Sequence, residues 1–227
     1  MHLVVFTLLF LGLILGPGLW VKSVMARYSR PADRYLKSGG ETARELLNHL
    51  GLHNVRTEET QAGDHYDPLQ KVVRLSTENF SSRSLTAVTV AAHEVGHALQ
   101  DATGFRPLHW RTRWVRWVGP IEKIGAGLLM VAPFTVAVTR APTIGLLTLL
   151  GGFLTLGSGA AVHLLTLPTE FDASFGRALP LLAERGILKK GDAPRARKLL
   201  TAAALTYVSG ALTSLLNIAR WWAILRR

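Results

Sequence analysis

Four stretches of this chain carry no charged side chain: residues 1–21, 124–139, 141–169 and 199–219. They constrain the fold more than any other feature, because a bilayer's hydrocarbon core takes about 20 apolar residues per helix, whereas a disordered chain needs the opposite composition. With 48% hydrophobic and 18% charged residues among 227, the expected class is a mainly α membrane protein with about four transmembrane helices and a small α+β domain outside them. Cysteine is absent, which excludes disulfide frameworks, thiolate metal sites and cysteine nucleophiles together.

Residues 1–21 have no basic segment before their apolar run, so they are read as an uncleaved anchor rather than a signal peptide. Residues 121–167 form a predicted transmembrane hairpin, turning at Arg140-Ala141-Pro142. Its first limb has only 16 uncharged residues and reaches full length if Lys123 or Arg140 snorkels. Residues 199–227 make a fourth span and a basic tail, with Trp221 and Trp222 suited to the interface. Of the Lys and Arg residues, 15 lie in 22–123, seven in 177–198, one at the 140 turn and none before 22. The excess of cationic side chains on cytoplasmic loops then predicts a multi-pass cell-membrane protein with both large loops in the cytoplasm, although Arg220, Arg226 and Arg227 oppose that orientation at the C-terminus.

The first loop has local signals of a folded unit. Ser38 and Glu41 have capping-box spacing, and the apolar residues that follow end at Gly51, so an amphipathic helix is expected. Residues 54–60 and 71–76 read as strands joined through turn-forming residues 62–68, and 84–102 returns to helical character before Gly104. The predicted order is helix, β-hairpin, helix. Residues 105–120 then place Trp110, Trp114 and Trp117 among Arg106, Arg111, Arg113 and Arg116, an interfacial helix whose partner is an anionic lipid surface. No nucleic-acid motif accompanies these residues, so no nucleic-acid partner is expected.

Within the second helix lies Ala91-Ala92-His93-Glu94-Val95-Gly96-His97-Ala98-Leu99-Gln100, a His-Glu-x-x-His pattern. Histidines four apart share one helical face, so His93 and His97 can reach one zinc ion, and Glu94 stands beside them as a candidate general base. Ala91, Ala92 and Gly96 leave the space a metal and substrate need. Two ordinary histidines facing a polar cleft are the competing reading. A catalytic zinc needs a third protein ligand. Glu170 follows the third uncharged stretch directly, with Thr169 as a plausible helix cap, and two spans between His97 and Glu170 return it to the same side of the membrane. A carboxylate in a capping turn would look the same, and Asp172 competes nearby.

Taken together, Asp64-His65-Tyr66-Asp67-Pro68, the strand Val72-Val73-Arg74-Leu75-Ser76, the block from Ala91 to Gln100 and Leu167-Pro168-Thr169-Glu170-Phe171-Asp172-Ala173-Ser174 resemble the bacterial YugP-type membrane zinc metallopeptidases, over nearly the whole chain and in order. The resemblance implies a gluzincin-like site: a zincin-like catalytic region in 22–104, Glu170 as third ligand in a helix and basic loop spanning 168–198, and one Zn2+ per chain. It also implies a polypeptide substrate, with membrane proteins among the candidates, paired with a sheet edge. Many gluzincins carry an Asp four residues after the ligand Glu, where it orients a metal-bound His; Ser174 stands there in this chain, and Asp101, Asp172 or a backbone carbonyl are alternatives for that task. His65 and Tyr66 are candidates for oxyanion or substrate contacts. The expected activity is peptide-bond hydrolysis with Glu94 as base. The alternative is a non-hydrolytic, metal-binding membrane scaffold or regulator. A transporter is disfavoured by the uncharged spans and the lack of an internal repeat.

Overall fold

The computed structural model describes the backbone of residues 2–225 and the side chains of residues 12, 15–132, 134–135, 137–141, 143–155 and 157–216. In chain order the elements are α1 (His2–Tyr28), α2 (Gly39–His49), β1 (Arg56–Thr60), β2 (His65–Asp67), β3 (Val72–Ser76), α3 (Thr77–Ser81), α4 (Leu85–Ala102), α5 (Arg106–Thr139), α6 (Pro142–Phe171), a π-helical segment (Asp172–Ala178), α7 (Leu179–Glu184) and α8 (Ala193–Leu225). They divide into two units. A mixed unit comprises Gly18–His109 and Leu167–Thr206, and a helical unit comprises Met1–Pro17, Trp110–Thr166 and Tyr207–Arg227.

In the mixed unit the local signals produce the expected helices. Ser38 caps α2 with both halves of the capping box in place. Ser84 caps α4 by accepting the Ala87 amide. Helix α4 ends where Gly104, at φ +66°, lets the Phe105 amide reach the Gln100 carbonyl (2.9 Å) and its own amide reach the Asp101 carbonyl (3.1 Å). That pair of bonds satisfies carbonyls the helix would otherwise leave open. Helix α4 is buried on nearly all sides, since its small residues Ala87, Ala91, Ala92, Gly96 and Ala98 allow neighbours to close around it. One core joins it to Leu46 and Leu47 of α2, to Val73 and Leu75 of β3, and to Leu182 and Leu200.

The sheet differs from the expected hairpin. Strands β1 and β3 are parallel, with Arg56 opposite Val72 and Thr60 opposite Ser76. The segment read as a turn contains β2, which runs antiparallel to β3 with Tyr66 opposite Val73. The spatial order is β1-β3-β2. The reason lies in β3: Val72, Val73 and Leu75 are all fully buried, so the strand needs cover on both faces and takes the centre, while the more polar β1 and β2 take the edges. Asp67 makes the tight reversal between β2 and β3 by accepting the Leu69 and Gln70 amides at 2.9 and 3.1 Å.

In the helical unit α5 and α6 approach through small residues. A Cβ added to Gly152 would stand 2.6 Å from the Leu129 side chain, the close backbone contact that small residues permit between membrane helices. Residues 105–120 do not form a separate helix; Arg106–Thr139 is continuous. The reversal at 140 is present, with Arg140 at φ +52°. Two helical stretches among the described residues are long and apolar enough to cross a membrane, Thr143–Glu184 and Ala193–Leu216. Most side chains of the anchor expected at 1–21 lie outside the described residues, as do those of Trp221 and Trp222. The fourth uncharged run also serves the protein interior, because Leu199, Leu200, Ala202 and Ala204 are buried.

Candidate metal centre

Histidines 93 and 97 lie one turn apart on α4, with ring centroids 4.7 Å apart and planes at 79°. Across from them stands Glu170, whose Oε2 lies 3.2 Å from His93 Nε2 and 3.4 Å from His97 Nε2. All three side chains are buried, and their ligand atoms fall within 4.8 Å of one another. Thus the structure brings together His93, His97 and Glu170 and leaves Asp172, the competing carboxylate, outside this group.

Glu170 does not occupy a capping turn. No helix begins at Thr169; α6 runs through Pro168 to Phe171 and continues as the π-helical segment. A proline inside a helix removes one hydrogen bond, but here it faces solvent, while Thr166, Thr169, Glu170, Ala173 and Ser174 form a continuous buried strip. Packing of that strip sustains the helix past its breaker. Gly96 sets the separation: a Cβ there would come 2.7 Å from the Ala173 carbonyl oxygen. The small residue between Val95 and His97 therefore admits the π-helical backbone to the helix that carries the two histidines.

Hydrogen bonds at Nδ1 set which nitrogen of each imidazole faces Glu170. His97 Nδ1 lies 2.9 Å from Gln100 Oε1. The Gln100 amide nitrogen donates to the Thr169 carbonyl and to Asp172 Oδ2, both at 2.8 Å, so its oxygen faces His97 and accepts the Nδ1–H. Asp172 is also paired with Arg177 at 2.7 Å. His93 Nδ1 lies 3.1 Å from Ser174 Oγ, and that hydroxyl donates to the Leu200 carbonyl at 3.4 Å. Each Nδ1 therefore carries the proton, and each Nε2 turns a lone pair toward Glu170 Oε2. Three electron-pair donors this close in a buried place are held together by a proton or a metal cation among them, and two imidazole nitrogens with one carboxylate form a donor set suited to zinc. The residues present fit that metal.

Glu94 is 6% exposed, and its carboxylate has no hydrogen-bond or ion-pair partner among the described residues. His65 and Tyr66 do not join the cluster. His65 Nδ1 donates to the Gly63 carbonyl at 2.8 Å, and Tyr66 donates its hydroxyl proton to Asp101 Oδ2 at 2.6 Å. Burial, reinforced by the neighbouring Asp101 carboxylate, pushes the Tyr66 phenol well above its ordinary value. Asp101, one of the alternatives for orienting a histidine, instead joins Tyr66 and Lys71. Asp172 acts only through Gln100. Sequence reasoning missed Gln100 altogether, although its place three residues beyond His97, on the same helical face, was the available signal.

A family model described as "Putative neutral zinc metallopeptidase" matches residues 3–226. The chain is also 36% identical over 214 residues to "Putative membrane protease YugP" of Bacillus subtilis (strain 168), with 91% of each chain covered. No solved structure matches it.

Proposed function

The chain belongs to the neutral zinc metallopeptidase family, and on that premise we propose that it is a multi-pass membrane peptidase hydrolysing peptide bonds at the membrane–cytoplasm interface. The observation carrying this reading is the convergence of His93 Nε2, His97 Nε2 and Glu170 Oε2, with Glu94, which has no partner among the described residues, next to His93 on the same helix. Zinc bound by those three residues would polarise the scissile carbonyl and acidify the attacking water. Glu94 accepts the proton of that water as its oxygen attacks the carbonyl carbon, and returns the proton to the amine nitrogen as the C–N bond breaks. Gln100 and Ser174 hold the two imidazoles in the tautomer that presents Nε2. His65 and Tyr66 are the candidates for contacting substrate; His65 has one ring nitrogen without a hydrogen bond among the described residues, whereas the Tyr66 proton is engaged by Asp101.

In this reading α1, α5, α6 and α8 are the four spans, and the mixed unit is cytoplasmic. The proposal is supported by the outward-facing apolar side chains of the helical unit, among them Phe134 (66% exposed), Val138 (82%) and Leu154 (76%). Apolar surface of that extent is a liability in water and ordinary in lipid. Trp110, Trp114 and Trp117 are also exposed on α5, where a belt of indoles and arginines suits headgroups. Glu94, a carboxylate without a partner among the described residues and adjacent in the chain to His93, favours hydrolysis over a scaffold that only binds metal, since a scaffold has no use for it. Comparative proteomics tests the proposal. Membranes from cells expressing the wild type are expected to contain peptide termini missing from cells expressing Glu94→Gln, and identical sets of termini would contradict it.

A further inference from the structure

We infer that Gln100 is a positioning residue that couples the histidine ligand His97 to the carboxylate ligand, joining through one side-chain amide the helix that carries His93 and His97 to the helical segment that carries Glu170. Gln100 is fully buried. Its oxygen accepts from His97 Nδ1 at 2.9 Å, while its nitrogen donates to the Thr169 carbonyl and to Asp172 Oδ2, both at 2.8 Å. The two accepting residues flank Glu170 in the chain. No donor of this amide is left over and its oxygen is engaged, so the group has one orientation. The His97 tautomer, the rotation of its ring and the placement of the backbone on both sides of Glu170 are fixed by the same amide.

This arrangement divides a task between two groups. His93 is oriented by Ser174 from the π-helical segment, whereas His97 is oriented from within its own helix by a residue that also reaches across to the third ligand. A neutral amide does here what a single carboxylate cannot, because a carboxylate accepts only: it could receive the Nδ1–H but would face the Thr169 oxygen and the Asp172 carboxylate with no proton to offer. The Asp172–Arg177 pair at 2.7 Å holds Asp172 in place for the amide. Loss of the amide's bonds therefore loosens the ligand set while leaving every ligand present.

The inference rests on the proposal that the site holds a metal, and the test separates the two. The full-length protein, purified in detergent and stripped by chelation, is titrated with Zn2+ by competition and with Co2+ alone by visible absorption. Gln100→Met keeps similar bulk and removes all three bonds; it is expected to weaken Zn2+ binding about 10- to 100-fold, the range for removing an orienting partner of a metal ligand, and to change the Co2+ spectrum. Gln100→Glu is expected to weaken binding as well, by setting a carboxylate against Asp172. Combining Gln100→Glu with Asp172→Asn supplies an amide donor from the other side and is expected to recover part of the affinity and the wild-type absorption. Should Gln100→Met not fold, the comparison of Gln100→Glu with the double variant carries the test. Wild-type affinity and spectrum in the Gln100 variants would overturn the inference, as would a double variant no better than Gln100→Glu. A wild type that takes up neither metal removes the metallopeptidase proposal itself.

Discussion

An imidazole offers a metal its Nε2 lone pair reliably only when the proton on Nδ1 has a fixed acceptor. In this protein the acceptors differ, a serine hydroxyl for His93 and a glutamine amide for His97. The hydroxyl is the weaker acceptor and holds its place by donating to the Leu200 carbonyl. Ser174→Ala should therefore lower Zn2+ affinity about 10-fold, toward the smaller end of the effects seen for orienting partners, and competition titration checks it. At this scale the sequence was informative about identity and silent about orientation. The spacing of His93, Glu94 and His97 on one helix is visible in the letters, because a helical repeat converts spacing directly into direction. The partner of His97 was not visible in the same way. Whether Gln100 points to His97 or to solvent depends on what lies opposite, which is the Thr169 carbonyl, 69 residues away. Likewise Ser174 stands where many gluzincins carry an aspartate, and only packing reveals that it reaches His93 directly.

Among the elements, the contact between α4 and the π-helical segment is the one on which the site depends. Gly96 permits it, and a methyl group at that position would meet the Ala173 oxygen at 2.7 Å. Gly96→Ala is expected to cost about 1–3 kcal/mol of stability, the usual penalty of forcing atoms into a packed interior, and to weaken metal binding by displacing Glu170; thermal unfolding and Zn2+ titration read the two effects. A second link ties the chain after α1 to the start of α8. The buried Asp192 carboxylate accepts from Arg34 Nε and Nη2, each at 2.8 Å, and from the Tyr35 hydroxyl at 2.6 Å. Burial alone would raise the Asp192 carboxyl, but the bonds from Arg34 and Tyr35 outweigh it and hold the group below its ordinary value of 3.8. A depressed carboxylate contributes stability above its unfolded value, and that contribution is lost as pH falls through the folded one. Melting temperature should thus fall as pH drops below about 4, and Asp192→Asn should lower it at neutral pH and flatten that acid dependence. Helix ends were legible from Ser38, Ser84 and the terminal glycines because capping is a short-range matter. The sheet was not, since the placement of β3 between β1 and β2 follows from covering Val72 and Val73 on two faces, a demand no local window contains.

For the whole molecule, the uncharged stretches and the basic loops describe a division of labour between a helical unit and a mixed unit. The division does not follow the charge boundaries closely. Helix α8 is uncharged over residues 199–219, yet its residues up to Thr206 belong to the mixed unit, because Leu199 and Leu200 complete a protein core rather than meet lipid. Hydropathy reports that a side chain avoids water and cannot say whether protein or lipid provides the shelter. The chain is expected to stay with the membrane fraction after alkaline carbonate washing and to leave it with detergent; release by carbonate alone would refute the membrane assignment. The proposed function is peptide hydrolysis at the buried histidine and glutamate cluster. Its most direct test is to measure zinc content and cleavage of a peptide library in the same preparations of wild type and Glu94→Gln. Equal zinc is expected in both, one ion per chain, with cleavage lowered roughly 10²- to 10⁴-fold in the variant, the contribution of a positioned general base. Cleavage by Glu94→Gln at the wild-type rate, or a zinc-loaded wild type that cleaves nothing, would contradict it.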